Sequence, residues 1–245
     1  MMFSAYAALV SPCATIPMRV RDNGWMREYT LRGGPGATAE AELEVKRSRF
    51  LCRIVRVDNE ADARDVIEQA RKTHWDARHH CSAFVLGSST EPDQVRRSND
   101  DGEPSGTAGR PILDVITGRN LIDCVAVVTR YFGGTLLGTG GLIRAYSDAT
   151  ALAVDGLRVQ KRLVLRSRRE LFKLALPHAD AGRVESELRQ HGVTVVGTEY
   201  GSSAVMTLAA DPGDESALAE RVAGITSGSR SLVSVGSEWV DAELR

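Results

Sequence analysis

Two glycine-rich signatures, held in one stretch from Arg97 to Asp148, constrain the fold more than any other feature of this chain. The first runs Ser98-Asn99-Asp100-Asp101-Gly102-Glu103-Pro104-Ser105-Gly106-Thr107-Ala108-Gly109-Arg110-Pro111, and the second Thr129-Arg130-Tyr131-Phe132-Gly133-Gly134-Thr135-Leu136-Leu137-Gly138-Thr139-Gly140-Gly141. Between them lie a short helical pattern (Ile112, Val115, Ile116) and the segment Val125-Ala126-Val127-Val128, apolar on both faces as a central strand requires. Beyond the second signature, Leu142, Tyr146, Ala149 and Ala153 repeat at helical spacing, which predicts a helix from Leu142 to Leu157. Glycine is favoured where backbone adopts positive φ or closely approaches another surface. The order strand, glycine loop, helix can aim free N–H groups at an anion. It can equally build a tightly packed corner, and both readings stay open at this point.

The rest of the chain supplies alternating strand and helix patterns. Residues 1–25 are broken by Pro12, Pro17 and Asp22-Asn23-Gly24 and are expected to form a poorly ordered extension, with Met26 a natural opening for the folded part. Ala41, Leu43 and Val45 alternate with charged residues as a half-buried strand does, a turn is expected at Ser48-Arg49, and Phe50 to Val57 returns. Asn59 is placed to cap a helix whose apolar face is Ala63, Val66, Ile67, Ala70 and His74. Strands are expected over Ser82–Leu86 and Gln94–Arg97, and Pro111 suits the first position of the next helix. From Arg158 onward a linker strand (Leu163, Leu165) precedes the order β-α-β-β-α-β, the split βαβ plan. The expected organisation is therefore an extension over 1–25, a first domain over 26–157 and a second over 158–245.

With 42% hydrophobic and 26% charged residues, the composition is that of an ordinary globular protein. The net charge of -1 means that any nucleic-acid binding requires a local basic patch. No apolar run approaches the length of a membrane span. The cysteines Cys13, Cys52, Cys81 and Cys124 are scattered, which fits the reducing cytosol. His79-His80-Cys81, with His74 nearby, invites a zinc reading, but adjacent residues on a strand point to opposite faces. The acidic turn Asp100-Asp101-Gly102-Glu103 invites magnesium, yet no phosphate-binding lysine accompanies it, and it is expected to be a solvated turn that caps neighbouring backbone instead. No metal and no cofactor are assigned.

The run Gly109-Arg110-Pro111-Ile112-Leu113, then Ile116, Leu121, Val127-Val128, Arg130-Tyr131-Phe132-Gly133-Gly134 and Leu137-Gly138, resembles the signature of the IMPACT family, whose bacterial members are the YigZ-type proteins. Asp101 to Gly109 and Ala77-Arg78-His79-His80-Cys81 fit it too, and the likeness is strong from Glu40 to Asp155. The resemblance implies an α+β protein of two domains, the first like domain 2 of ribosomal protein S5 and the second ferredoxin-like. It also implies a likeness to the last two domains of the translocating elongation factor. Eukaryotic members act in translational control by competing for the scaffold that activates a stress-responsive kinase. For this chain the resemblance implies a general link to translation rather than that kinase pathway.

Neither a nucleophile elbow nor a cysteine-protease motif surrounds Ser105, Thr107 or Cys81, so no catalytic residues are assigned. The reading favoured on sequence is a cytosolic binding protein whose partner is RNA, the ribosome or a translation-associated protein. Its expected site is Arg97, Gly106, Thr107, Gly109, Arg110, Arg130, Gly133, Gly134, Gly138, Gly140, Gly141 and Arg144, with Arg110, Arg130 and Arg144 as charge partners of a phosphate backbone. Tyr131 and Phe132 either stack bases or fill the core. A second basic cluster, Arg158, Lys161, Arg162, Arg166, Arg168 and Arg169, falls at the domain junction. The alternative is a phosphate- or nucleotide-binding enzyme resembling small-molecule kinases that share an S5-like domain, since Gly138-Thr139-Gly140-Gly141-Leu142 resembles their phosphate loop. The oligomeric state stays open.

Overall fold

The computed structural model describes residues 21–22, 25–228 and 231–242. The extension expected over 1–25 therefore lies largely outside the described residues; within it only the two-residue strands β1 (Arg21–Asp22) and β2 (Trp25–Met26) are seen, paired with each other. The chain continues through β3 (Glu28–Leu31), β4 (Thr38–Val45), β5 (Ser48–Arg56), α1 (Glu60–Thr73), β6 (His79–Leu86), β7 (Val95–Asn99), α2 (Gly109–Gly118), β8 (Cys124–Tyr131) and α3 (Gly138–Val159). It ends with β9 (Leu163–Leu176), α4 (His178–Gln190), β10 (Thr194–Tyr200), β11 (Ala204–Ala210), α5 (Glu215–Thr226) and β12 (Val233–Ala242).

The first unit is an antiparallel sheet in the order β4-β5-β8-β6-β7, with β8 at its centre as its doubly apolar sequence requires. Alternation along β8 sends Cys124, Ala126 and Val128 into the core beneath α2 and α3, and Val125 and Val127 into the core beneath α1. α3 crosses β4 and β5, α2 crosses β6 and β7, and α1 lies over β8 and β6. Asn59 caps α1 as expected, its side chain accepting from the Asp62 N–H at 2.9 Å.

The turn between β4 and β5 falls at Lys46-Arg47, not at Ser48-Arg49. Val45 pairs with Ser48 across a two-residue loop, and both Lys46 (φ 48) and Arg47 (φ 67) are left-handed, the geometry of a type I′ hairpin. Ser48 cannot turn because it is buried, with its hydroxyl accepting from the Gly133 N–H at 3.1 Å. A second difference concerns α3, which begins at Gly138, so that Gly138, Gly140 and Gly141 form its first turn and not a loop before Leu142. Pro111 is the third residue of α2, which opens at Gly109.

The second unit has the order β-α-β-β-α-β, and its strands lie β10-β11-β9-β12 with α4 and α5 over one face. The linker strand and the first strand expected separately are one 14-residue strand, β9. One edge of β9 carries β3 along Leu163–Arg166 and β11 along Glu170–Leu176; the other carries β12. Leu163 packs in the first core and Phe172 in the second, so the change of core occurs inside this strand.

A polar network crosses the same junction. Arg56 on β5 grips Asp241 on β12 through two bonds of 2.6 and 3.1 Å and donates to the Leu31 carbonyl. Arg166 reaches Asp123 at 3.0 Å and Asp241 at 3.2 Å, and the Trp239 indole N–H donates to Glu91 at 2.9 Å. Arg166, Arg168 and Arg169 of the junction cluster thus have carboxylate partners (Asp123 and Asp241, Glu91, and Asp211). Among the described residues no helix is long and apolar enough to cross a membrane.

Candidate functional site

Antiparallel pairing gathers the motif residues at one end of the first sheet. His79 lies opposite Arg130 and Arg49 opposite Tyr131, so the Lys46-Arg47 turn, the end of β8 and the start of β6 meet there. The two glycine signatures close over this end, and what they do differs between them.

In the first signature the expected anion seat is filled by the chain itself. The Asp100 carboxylate accepts from the N–H groups of Gly106 (2.7 Å), Ala108 (3.0 Å) and Gly109 (2.8 Å), capping α2 where no N-cap side chain does. Burial pushes its pKa upward, but the three backbone bonds outweigh that and hold it below the ordinary value. Gly106, Thr107 and Gly109 are therefore spent internally, and Thr107 is buried with its hydroxyl donating to the Pro104 carbonyl. Gly109 is glycine for a further reason: a Cβ there would meet the Asn99 backbone at 2.6 Å. The capping role expected of the acidic turn is what the structure shows, but the turn is not wholly solvated, because Glu103 is buried against Arg130 and Tyr146. Asp101 likewise accepts from the His80 N–H at 2.6 Å and from Arg71 at 2.8 Å.

Arg130 is a second correction. It is buried, and it donates to Glu103 at 2.5 Å; the same carboxylate oxygen accepts from the Tyr146 hydroxyl at 2.8 Å. Its guanidinium lies over the rings of Phe50 (5.6 Å) and Phe132 (5.7 Å), while its Nε is buried without a partner. Arg130 is thus an internal cation rather than a phosphate contact. The other expected charge partners are exposed but paired, Arg110 with Asp114 at 2.8 Å and Arg144 with Asp148 at 3.4 Å. Arg97 pairs with Phe84 across β7 and β6, which puts it on the α1 face, opposite to α2 and α3. The arginines singled out in the sequence do not converge on the glycines.

The second signature remains open. A Cβ on Gly133 would fall 2.0 Å from the Arg47 carbonyl carbon, so this glycine is what lets the loop lie against the Lys46-Arg47 turn. Gly134, Gly138 and Gly140 are exposed, and α3 starts without a side-chain cap bond. Arg47 donates to the Thr135 hydroxyl at 3.1 Å. Phe132 does not fill the core: it is 54% exposed, since the inward place on that side is taken by Phe50 and Tyr146, packed edge to face at 5.1 Å.

The sequence reading missed the residues that border this surface. Lys46 and Arg47 occupy the hairpin turn, Trp75 is 82% exposed after α1, and Arg78 follows it. Among the described residues Lys46, Arg47 and Arg78 have no carboxylate partner. Of the carboxylates nearby, Asp76 accepts from the Tyr131 hydroxyl, Asp100 from backbone, Asp101 from Arg71, Glu103 from Arg130 and Tyr146, and Glu42 from Arg49, while Glu44 stands exposed two residues before Lys46. The available signal was the pair Lys46-Arg47 at a place where a tight hairpin prefers Asn-Gly.

Groups with catalytic chemistry are withdrawn from this surface. The Cys81 thiol is pushed up to about 12 by burial and donates to the Asp100 carbonyl at 3.0 Å. Burial raises Tyr146 well above its ordinary range, reinforced by Cys81 and Glu103. His79 bonds to the Asp101 carbonyl and His80 to the His74 carbonyl, and burial lowers His80. A cleft of about 740 Å³ lies along the second unit; two of the arginines lining it are paired, Arg169 with Asp211 and Arg189 with Glu185.

A sheet with helices on both faces and two glycine-rich corners, joined through one shared strand to a β-α-β-β-α-β unit, defines a two-domain α+β protein. Residues 46–154 match the Impact N-terminal domain, and residues 174–229 match a domain of unknown function, DUF1949. The chain belongs to the IMPACT family. It is 38% identical over 189 residues to the IMPACT family member YvyE of Bacillus subtilis (strain 168), covering 77% of this chain and 84% of that one. It is 32% identical over 201 residues to the IMPACT family member YigZ of Escherichia coli (strain K12), covering 82% and 96%. A crystal structure of a hypothetical protein superposes with a TM-score of 0.51 at 30% identity, covering 86% of this chain and 99% of that one.

Proposed function

We propose that this protein is a non-catalytic binding protein linked to translation, and that it holds RNA, free or within the ribosome, at the end of the first sheet. The observation that carries this reading is the surplus of unpaired cations there. The chain as a whole has a net charge of -1, yet among the described residues Lys46, Arg47 and Arg78 have no carboxylate partner, while Asp100, Asp101 and Glu103 are taken up by internal bonds. Phosphate neutralisation by such cations is the sequence-independent part of nucleic-acid binding. The IMPACT family membership supports the translation link. The S5-like and ferredoxin-like readings of the two units agree with it by fold analogy alone.

Capture from cell lysate with and without ribonuclease tests this reading, followed by binding of the captured RNA at several salt concentrations. Affinity is expected to fall steeply with salt. Capture that ignores ribonuclease, with no salt-dependent RNA binding, overturns it.

A second reading keeps the kinase-like alternative, because α3 opens on Gly138, Thr139, Gly140 and Gly141 with no side-chain cap. A nucleotide bound there would raise the melting temperature in ATP and magnesium by mass action. No shift is expected; a saturable one would favour the enzyme.

A further inference from the structure

We infer that the RNA taken at this end of the sheet is single-stranded, with unpaired bases stacking on Trp75 and Phe132 and its phosphates running past Lys46, Arg47 and Arg78. This inference rests on the RNA reading of the same surface and specifies the strand form.

The two rings are presented, and each is held from behind. Trp75 sits in the turn after α1 between His74 and Asp76, and both of those residues bond the Tyr131 hydroxyl, each at 3.0 Å. The turn is pinned to the end of β8 while the indole stands out, 82% exposed. Phe132 follows Tyr131 and points to the other side of the sheet. Its inner face lies against the buried Arg130 guanidinium, which Glu103 fixes in turn, and its outer face is open. Arg49 lies over the Tyr131 ring at 5.7 Å. Beside His74 the sheet face is hollowed by 370 Å³ over Leu51, Val127 and Thr129, and the glutamates at its rim, Glu40 and Glu42, are tied to Arg53 and Arg49.

Exposed rings interleaved with cations suit one kind of ligand. In a duplex the bases are already stacked on each other, so a protein ring gains contact only with bases that are unpaired. A protein partner would favour one contiguous apolar patch, whereas here guanidinium groups lie against the rings, Arg49 over Tyr131 and Arg130 over Phe132. The Lys46-Arg47 turn points the same way. A type I′ hairpin is least strained as Asn-Gly, and this chain instead holds two cations in left-handed backbone at the sheet end. Strain of that kind persists where the side chains are needed.

The test uses the full chain and fluorescence anisotropy with a labelled adenosine dodecamer RNA, the same strand annealed to its complement, and a poly-glutamate peptide of equal charge. The single strand is expected to bind most tightly. Trp75→Ala and Phe132→Ala, both at exposed positions, should each weaken it roughly tenfold to a hundredfold without altering its salt dependence. Lys46→Asn with Arg47→Gly should weaken it and flatten the slope of log affinity against log salt by about 1.4, two phosphates at about 0.7 each. Equal binding of duplex and single strand, unaffected by Trp75→Ala but still weakened by the turn variant, overturns the single-strand inference and leaves the RNA surface standing. Absence of salt-dependent binding to either RNA overturns both. Poly-glutamate binding as tightly as the dodecamer overturns both in favour of an acidic protein partner.

Discussion

Replacing Asp100 by Ala removes three hydrogen-bond acceptors from the start of α2 in one step, and the structure sets the size of the effect. The Gly106 N–H belongs to an exposed residue and recovers water, so its loss is cheap. The N–H groups of Ala108 and Gly109 belong to buried residues. A buried donor left without a partner costs about 1–3 kcal/mol, and losing the negative charge beside the helix N-terminus adds about 0.3–1 kcal/mol. Taking the lower half of those ranges, because the carboxylate itself is partly solvated, gives about 3 kcal/mol. For a chain of this length that is a fall in melting temperature of about 6–12 °C. Asp100→Asn should retain about half the effect, because one carbonyl oxygen can replace Oδ1 at Ala108 and Gly109 while its amide opposes the Gly106 N–H. Circular dichroism melting, with amide hydrogen exchange at Ala108 and Gly109, reads both. The pH dependence has a definite sign. The folded pKa is depressed below the ordinary 3.8, so the contribution is complete above that value and is lost as pH falls through the folded pKa. A parent-minus-variant difference that grows on acidification, or an Asp100→Ala protein melting within about 1 °C of the parent, would refute the capping argument.

Gly133→Ala should destabilise by at least about 1–3 kcal/mol, since its Cβ would meet backbone atoms of Arg47 that cannot swing away; Gly140→Ala, facing open space inside a helix, should leave the melting temperature equal or higher. Lys46→Asn with Arg47→Gly should raise thermal stability by about 1–2 kcal/mol through relief of left-handed strain, the opposite direction to its effect on RNA binding, and an unchanged or lower melting temperature would argue against strain in the turn. Asp241→Ala strands the Arg56 guanidinium, whose side chain is 6% exposed, and should cost about 3–5 kcal/mol, with the two units then melting in separate calorimetric steps. In the native protein Cys52 and Cys81, whose thiols burial pushes to about 12, should resist iodoacetamide at neutral pH until denaturant is added; rapid labelling as folded protein would contradict their burial.

The sequence by itself determined the parts of this protein that depend on neighbours in the chain. The doubly apolar Val125–Val128 could only be a central strand, Asn59 could be recognised as a cap from the residues after it, and the β-α-β-β-α-β order of the second unit followed from periodicity. Those signals are local, because helix and strand periods are properties of a few consecutive residues. The motif residues also carried the family. Tertiary structure decided what each of them does. That Asp100 folds back to occupy the helix N-terminus, that Arg130 is neutralised by Glu103 and carries Phe132 on its outer side, and that Gly133 is needed for contact with Arg47 are facts about pairs 9, 27 and 86 residues apart. A sequence shows charge and glycine but not which carboxylate has already claimed a given N–H or guanidinium. Only packing fixes that, because the cost of leaving a buried polar group unpaired forces each one to find its partner inside the fold. The cations left over at the end of the sheet could be identified only after those pairings were known.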